Sequence, residues 1–286
     1  MTSEQAAPSI SSSAYAVFGN PIKHSKSPAI HSAFSEQFDD DITYRAVRVE
    51  VDDFELKVSR FFQRGGGGLN VTLPFKERAF ILSDEATDRA TRARAANCLI
   101  PLPDGSIRAD NTDGIGMVRD MVANLGWQLS SRRVLLLGAG GAVRGVMQPL
   151  LMESPAELVV ANRTAEKAEA LASEFADQKI PVQGCGLDDI NGQSFDLIIN
   201  GTSAGLTTEL VSLPDFNLTE RSCCYDMMYS AEPTGFMRWA ASKTPWAVSD
   251  GLGMLVEQAA ESYFLWRGKR PDTLKVIQSL RHQMSI

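Results

Sequence analysis

The chain has 286 residues, of which 44% are hydrophobic and 22% charged, and it carries a net charge of -7. That length and apolar content suit two globular domains, and the alternation of strands and helices set out below makes them α/β. The charge offers no basic surplus for a nucleic acid partner, and no apolar run nears the roughly 18 residues that span a bilayer. Cys98, Cys185, Cys223 and Cys224 form no CxxC pair and only three histidines accompany them, so free thiols are expected and a metal centre is not.

Met1–Ser13 is rich in Ser and Ala and lacks the basic and apolar regions of a signal peptide, so it reads as a disordered tail on a cytoplasmic protein. Ala14–Phe18 then reads as a strand, and a helix is expected from Pro28. Thr43–Val49 predicts a second strand and Phe54–Phe62 has helical spacing. The glycines 65–68 lead into a short buried strand at Leu69-Asn70-Val71-Thr72, with a helix start at Pro74. Asn111-Thr112-Asp113-Gly114 favours a turn, after which a second unit begins.

In that unit a strand at Arg133–Leu137 runs into Gly138-Ala139-Gly140-Gly141 and a helix over Ala142–Met152. Further elements follow as a strand at Glu157–Ala161, a helix at Thr164–Phe175, and strands at Asp196–Asn200 and Cys223–Asp226. An apolar helix over Asp250–Trp266 is expected to return to the first domain. Strands alternating with helices predict largely parallel sheets.

A strand, a glycine turn and a helix N-terminus together form a pyrophosphate cradle, because the glycines admit the ligand and the helix presents free N–H groups. The third glycine of the usual pattern is replaced by Val143, so the turn alone serves equally as a tight connection. The next strand ends in Asn162-Arg163-Thr164 with Lys167 a turn later. A carboxylate there would suit the ribose of NAD. Arg163 and Lys167 suit a 2′-phosphate instead and favour NADP, while Thr164 also fits a helix N-cap.

Ser25-Lys26-Ser27 before Pro28 fits a carboxylate site, and on its own fits plain N-capping better. Lys76 follows Pro74-Phe75 at the end of a buried strand, a good position for an acid or base of tuned pKa. Asn97 and Asp113 add polar groups near strand ends, although Asp113 also suits an Asx turn.

Taken in order, these segments resemble the shikimate dehydrogenase family over roughly residues 14–280. The resemblance rests on Ala16–Ile22 with His24–Pro28, Asn70-Val71-Thr72 with Pro74-Phe75-Lys76, and Asp110–Gly114. It continues through Gly138–Ala142, Asn162-Arg163-Thr164, Tyr225-Asp226-Met227 and Asp250–Val256. It implies a split α/β substrate-binding domain over 1–112, a Rossmann-like NADP-binding domain over 113–249, and C-terminal helices over 250–286 that return to the substrate domain. It implies Lys76 and Asp113 as the catalytic pair, with substrate contacts at Ser25, Ser27, Thr72, Asn97, Asp113, Tyr229 and Gln258. Cofactor contacts are implied at Gly138, Ala139, Gly140, Gly141, Ala142, Asn162, Arg163, Thr164, Lys167, Met227 and Gly251, with Asp88 a further one.

The implied reaction is reversible NADP(H)-dependent interconversion of 3-dehydroshikimate and shikimate in aromatic amino acid biosynthesis. The implied partner is that small-molecule substrate, with no nucleic acid or membrane partner; the chain is expected as a monomer or homodimer. One departure stands out: the family's Gly-Ala-Val-Asn-Thr is here Arg94-Ala95-Ala96-Asn97-Cys98. A positive φ at the family's glycine would place Arg94 under backbone strain. A quinate/shikimate dehydrogenase is the alternative reading, though Asn162-Arg163 disfavours the NAD use that it predicts. A non-catalytic binder is a third, disfavoured because Lys76 and Asp113 are both retained.

Overall fold

The computed structural model describes residues 13–177, 179–202 and 213–284. The tail read over Met1–Ser13 thus lies, up to residue 12, outside the described residues. The first lobe is built on strands β1 (Ser13–Gly19), β2 (Ile42–Arg48), β3 (Gly66–Val71), β4 (Glu85–Ala86), β5 (Cys98–Pro101) and β6 (Ile107–Asp110). Their spatial order is β2-β1-β3-β5-β6-β4. β1 pairs in parallel with β2 and β3, whereas β5 is antiparallel to both β3 and β6. This sheet is therefore mixed. Only five residues join β5 to β6, too few for a crossover, so the pair closes as a hairpin with Leu102 N–H on Ser106 O at 2.8 Å.

β3 begins at Gly66, three residues before the strand expected from Leu69, and so takes in the glycines that precede it. A Cβ at Gly66 would strike the Phe61 ring, and one at Gly68 would strike Trp266. The bare backbone lets large aromatic rings lie flat on the strand. Around this sheet pack α1 (Ser27–Glu36), α2 (Phe54–Gln63), α3 (Lys76–Leu82) and α4 (Asp88–Ala93).

The second sheet comprises β7 (Arg133–Leu137), β8 (Glu157–Asn162), β9 (Val182–Gly186), β10 (Ser194–Asn200), β11 (Asn217–Asp226) and β12 (Ala247–Ser249). All pairs are parallel, in the order β12-β11-β10-β7-β8-β9. The chain leaves β7 toward β8 and later returns to its other side at β10. That reversal makes the carboxyl ends of β7 and β10 a topological switch point, where a crevice opens. Helices α6 (Gly141–Met152), α7 (Ala165–Ser173) and α8 (Gly235–Ser242) complete this lobe.

Helix α5 (Asp113–Arg119) joins the lobes and continues as a π-helical turn over Asp120–Asn124. The turn residues Asp113 and Gly114 thus open a helix, because tertiary packing completes what local preference leaves undecided. A Cβ on Gly114 would lie 2.5 Å from the Gly145 carbonyl of α6. A Cβ on Gly116 would lie 2.6 Å from the backbone nitrogen of Gln258 in α9 (Leu252–Arg267). α5 is therefore wedged between two helices at backbone contact. α9 packs Leu252, Val256 and Tyr263 against Ile30 and Phe34 of α1 and against Val276 and Leu280 of α10 (Leu274–Met284). No helix among the described residues is long and apolar enough to cross a membrane.

The wedge sets an expected outcome for Gly116→Ala. The new methyl has backbone in its way, so α9 must shift, at a cost of about 1–3 kcal/mol. Urea unfolding measures this directly; an unchanged midpoint would show that the α5–α9 contact is slack.

Candidate active site

β3 ends at Val71, and Thr72 continues it by donating its N–H to Phe18 O at 2.9 Å. Phe75 is fully buried and stacks on Phe54 with ring centroids 4.5 Å apart. This anchor makes Lys76 the first residue of α3, at the carboxyl end of the sheet. From the other side, β6 delivers Asp110, Asn111 and Thr112, all buried, and then Asp113. Asp110 Oδ1 accepts from Asn111 N–H at 2.7 Å, and Asn111 Oδ1 accepts from Asp113 N–H at 3.1 Å. These local bonds fix the direction in which Asp113 leaves the helix start.

The Lys76 ammonium donates to Asp113 Oδ2 at 2.6 Å, a short charge-assisted bond between side chains only 28% and 16% exposed. Asp113 Oδ1 accepts from Asn97 Nδ2 at 2.8 Å. Both carboxylate oxygens are thus held. The pair faces a cavity of about 370 Å³ that Ser25, Ser27, Thr72, Asn97, Tyr229 and Gln258 also line. Every substrate residue expected from the sequence meets there.

The local reading of Ser25 and Ser27 is corrected. Lys26 is the N-cap residue of α1 and no side chain caps that helix. Ser25 Oγ only accepts a 3.3 Å bond from Ser27 N–H, so both hydroxyls keep capacity for a ligand.

Asn97 survives the altered segment because the sheet holds its backbone. Its N–H donates to Asp110 O at 3.1 Å and its carbonyl accepts from Val71 N–H at 2.9 Å. Its side chain reaches Thr112 Oγ1 at 2.9 Å and Gln258 Oε1 at 3.2 Å as well as Asp113. Arg94 does adopt the left-handed conformation, with φ +50° and ψ +32°, so the strain expected there is present.

Around Asn70, which the sequence already marks, gather supporting groups that it does not. The Asn70 amide is spent within the protein, accepting from the Tyr44 hydroxyl at 2.8 Å and donating to Asn97 O and to Ser262 Oγ. Behind it, Arg89 grips Asp110 through two nitrogens, at 3.0 and 2.7 Å. Glu261 receives Arg89, Arg119 and Arg270. Burial alone would raise the Glu261 carboxyl, but the arginines outweigh it and hold it below its ordinary range. No local pattern marks Tyr44, Arg89, Glu261 or Ser262, the last of which meets Asn70 across 192 positions.

At the switch point, Gly138 has φ +104°, which admits only glycine without strain. A Cβ at Gly140 or Gly141 would meet nothing within 4 Å, so that face is open. Gly140 is the N-cap of α6 with no side-chain cap, which leaves the first N–H groups of a 12-residue helix, including those of Gly141 and Ala142, free for an anion. Val143 is fully buried, and the glycine missing there reappears across the contact: a Cβ on Gly201 would strike Val143.

Arg163 and Lys167 are exposed and have no ion-pair partner among the described residues. Thr164 takes the N-cap position of α7 without a side-chain bond, while Asn162 Nδ2 donates to Thr164 O at 2.9 Å. Uncapped N–H groups, open glycines and unpaired cations fit a dinucleotide with a 2′-phosphate. Met227 and Gly251 line the same cavity as Lys76 and bring it up to this crevice. Asp88 is exposed at the start of α4, and no hydrogen bond or ion pair among the described residues joins it to the glycine turn. No metal-holding cluster of His, Cys, Asp or Glu occurs among the described residues.

Comparison with known proteins agrees over most of the chain. Residues 17–99 match the shikimate dehydrogenase substrate binding domain, 120–212 match shikimate / quinate 5-dehydrogenase, and 251–281 match the shikimate 5′-dehydrogenase C-terminal domain. A shikimate dehydrogenase (NADP(+)) of Cellvibrio japonicus is 56% identical over 94% of this chain and 97% of its own length. Among solved structures, an Ael1 enzyme from Pseudomonas putida matches with TM-score 0.87 and 46% identity, covering 96% of this chain and 99% of its own. Shikimate 5-dehydrogenase from Thermus thermophilus, solved with NADP(H) and shikimate, matches with TM-score 0.81 and 30% identity, covering 94% of this chain and 99% of its own. With a lysine–carboxylate pair facing a polar cavity beside an uncapped glycine cradle, and relatives that match over more than nine-tenths of its length, the chain belongs to the shikimate dehydrogenase family.

Proposed function

We propose that the chain catalyses the reversible NADPH-dependent reduction of 3-dehydroshikimate to shikimate, the step that its family contributes to chorismate and aromatic amino acid biosynthesis. The observation that carries this reading is the Lys76–Asp113 contact inside a cavity that adjoins the glycine cradle. Bound NADPH supplies the hydride. Negative charge then grows on the carbonyl oxygen, and the Lys76 ammonium stabilises that charge and delivers the proton. One Lys76 N–H stays on Asp113, which orients the ammonium and accepts a bond from the substrate hydroxyl beside the reacting carbon. Asn97 holds Asp113 in place from its other oxygen.

Ser25 and Ser27 receive the substrate carboxylate, and Thr72, Asn97, Gln258 and Tyr229 recognise its hydroxyls. Buried polar groups of this kind reject analogues that leave them unpaired. For the nucleotide, the backbone N–H groups over Gly138–Ala142 take the pyrophosphate, and Asn162, Arg163, Thr164 and Lys167 take the adenosine 2′-phosphate. Met227 and Gly251 border the nicotinamide end. The described residues up to 112 form the substrate domain, those over 113–249 the nucleotide domain, and those from 250 on close back onto the first. The enzyme works in the cytoplasm as a monomer or homodimer, on a small molecule alone.

Two measurements test these roles. Lys76→Ala lowers kcat by about 10²–10⁴-fold, while NADPH binding, followed by its fluorescence, stays as in the unaltered protein. Near-normal turnover would remove Lys76 from the chemistry. Arg163→Ala raises KM for NADP by roughly tenfold or more, as expected for a lost charged hydrogen bond, and leaves KM for NAD unchanged. Equal shikimate oxidation with both nucleotides by the unaltered protein would contradict the 2′-phosphate site, and comparable turnover of quinate would broaden the substrate class.

A further inference from the structure

Arg94 closes α4 in the left-handed region, where a residue with a Cβ is disfavoured and glycine is the usual occupant after a helix. Its side chain leaves the substrate lobe and lies 3.1 Å from Glu174 Oε2. Glu174 is the C-cap residue of α7, whose opposite end carries Arg163 and Lys167. The same carboxylate is gripped by two nitrogens of Arg144, from the first turn of the cradle helix α6. Those contacts hold the Glu174 carboxyl below its ordinary range, so it stays charged.

Arg92 reinforces the junction. It donates to the Glu174 carbonyl at 3.2 Å, pairs with Asp177, and sits over the Phe175 ring 5.8 Å from its centre. Two arginines at the end of α4 therefore hold the end of α7.

The segment that follows Arg94 touches the reaction machinery at each step. Ala95 O accepts from Asn111 Nδ2 at 3.1 Å, Ala96 N–H donates to the Lys76 carbonyl at 2.8 Å, and Asn97 Nδ2 donates to Asp113. Glu174 thus connects α6 and α7 to a short braced segment that holds both members of the catalytic pair.

We infer that Arg94 is an inter-lobe positioning residue that links nucleotide binding to substrate binding through Glu174. The inference rests on the dehydrogenase reading above. A nucleotide that orders the first turns of α6 and α7 fixes Glu174, Glu174 fixes Arg94, and the 95–97 segment is set for the substrate. By linkage, substrate must then tighten nucleotide binding by the same factor.

NADPH with shikimate is a pair that cannot react, so the coupling is read at equilibrium as the ratio of NADPH Kd values without and with saturating shikimate. Arg94→Gly lowers that ratio about threefold, the scale of a half-exposed ion pair, and Arg94→Lys retains most of it. Thermal unfolding of Arg94→Gly stays level or rises, since glycine is at ease at φ +50°. Ionic strength near about 1 M brings the unaltered protein down to the ratio of Arg94→Gly. An Arg94→Gly ratio equal to that of the unaltered protein overturns the inference, as does a lysine variant that falls as far as the glycine one. Shikimate turnover by the unaltered protein, measured on the same preparation, separates failure of this linkage from failure of the dehydrogenase reading.

Discussion

The carboxylate of Asp113 is the fixed point of the molecule. It stands at the first position of α5, the helix that touches α6 through Gly114 and α9 through Gly116. Lys76 reaches it from the first lobe at 2.6 Å and Asn97 holds its other oxygen. Two side chains therefore converge on the carboxylate, while two helices fix the backbone that carries it. Positioning on this scale is what lowers a barrier, because a reacting group displaced by about 1 Å forfeits roughly two orders of magnitude in rate. The glycines of α5 are part of the chemistry in this sense, although they contact no ligand.

Rigidity at that point comes from charges buried behind it. Asp110 and Glu261 are 1% and 5% exposed and would be costly alone. Arg89 bridges them, and Arg119 and Arg270 complete the shell around Glu261. Removing one member of such a buried set typically costs about 3–5 kcal/mol, because the remaining charge is left uncompensated. The network joins α4, β6, α5 and α9, of which α5 and α9 present Asp113 and Gln258 while β6 holds the Asn97 backbone through the Asp110 carbonyl. Its specificity is geometric: planar guanidinium forks fix angles as well as distances.

The second lobe was legible where the chain writes its pattern locally. Arg133–Leu137 is a strand in both sequence and structure, because five residues bounded by polar and glycine neighbours leave no other choice. The first lobe was harder. Glycines 66–68 read only as leading into a strand yet lie inside β3, because the reason for them is the Phe61, Tyr15 and Trp266 rings across the strand. The short elements β4, α4 and the β5–β6 hairpin carry too few residues for periodicity to show. Asp113-Gly114 has turn chemistry and becomes a helix only against α6 and α9. At the site, Lys76 could be read from its place after a buried strand. Thr112, Ser262 and Tyr44 could not, because their roles exist only once β6, α9 and β2 are adjacent. Serines 25 and 27 misled in the opposite direction: a good local capping pattern is left unused and its hydroxyls face the cavity.

Charge is sorted by task across the chain. The overall charge is -7, so most cations have a carboxylate within reach. Arg89, Arg119, Arg144 and Arg270 are paired and serve the fold. Arg163 and Lys167 at the nucleotide end, and Lys23 and Lys26 on the cavity wall, have no such partner among the described residues. An unpaired ammonium in partly exposed surroundings keeps its hydration and gains little for stability. Placed beside a cavity, it instead creates a local positive potential within an acidic protein, and low-dielectric walls focus that field on an entering anion. Both ligands of the proposed reaction are anions. Arginines committed to carboxylates add little to that field, so Arg163, Lys167, Lys23 and Lys26 are the cations suited to draw in the anionic ligands proposed above.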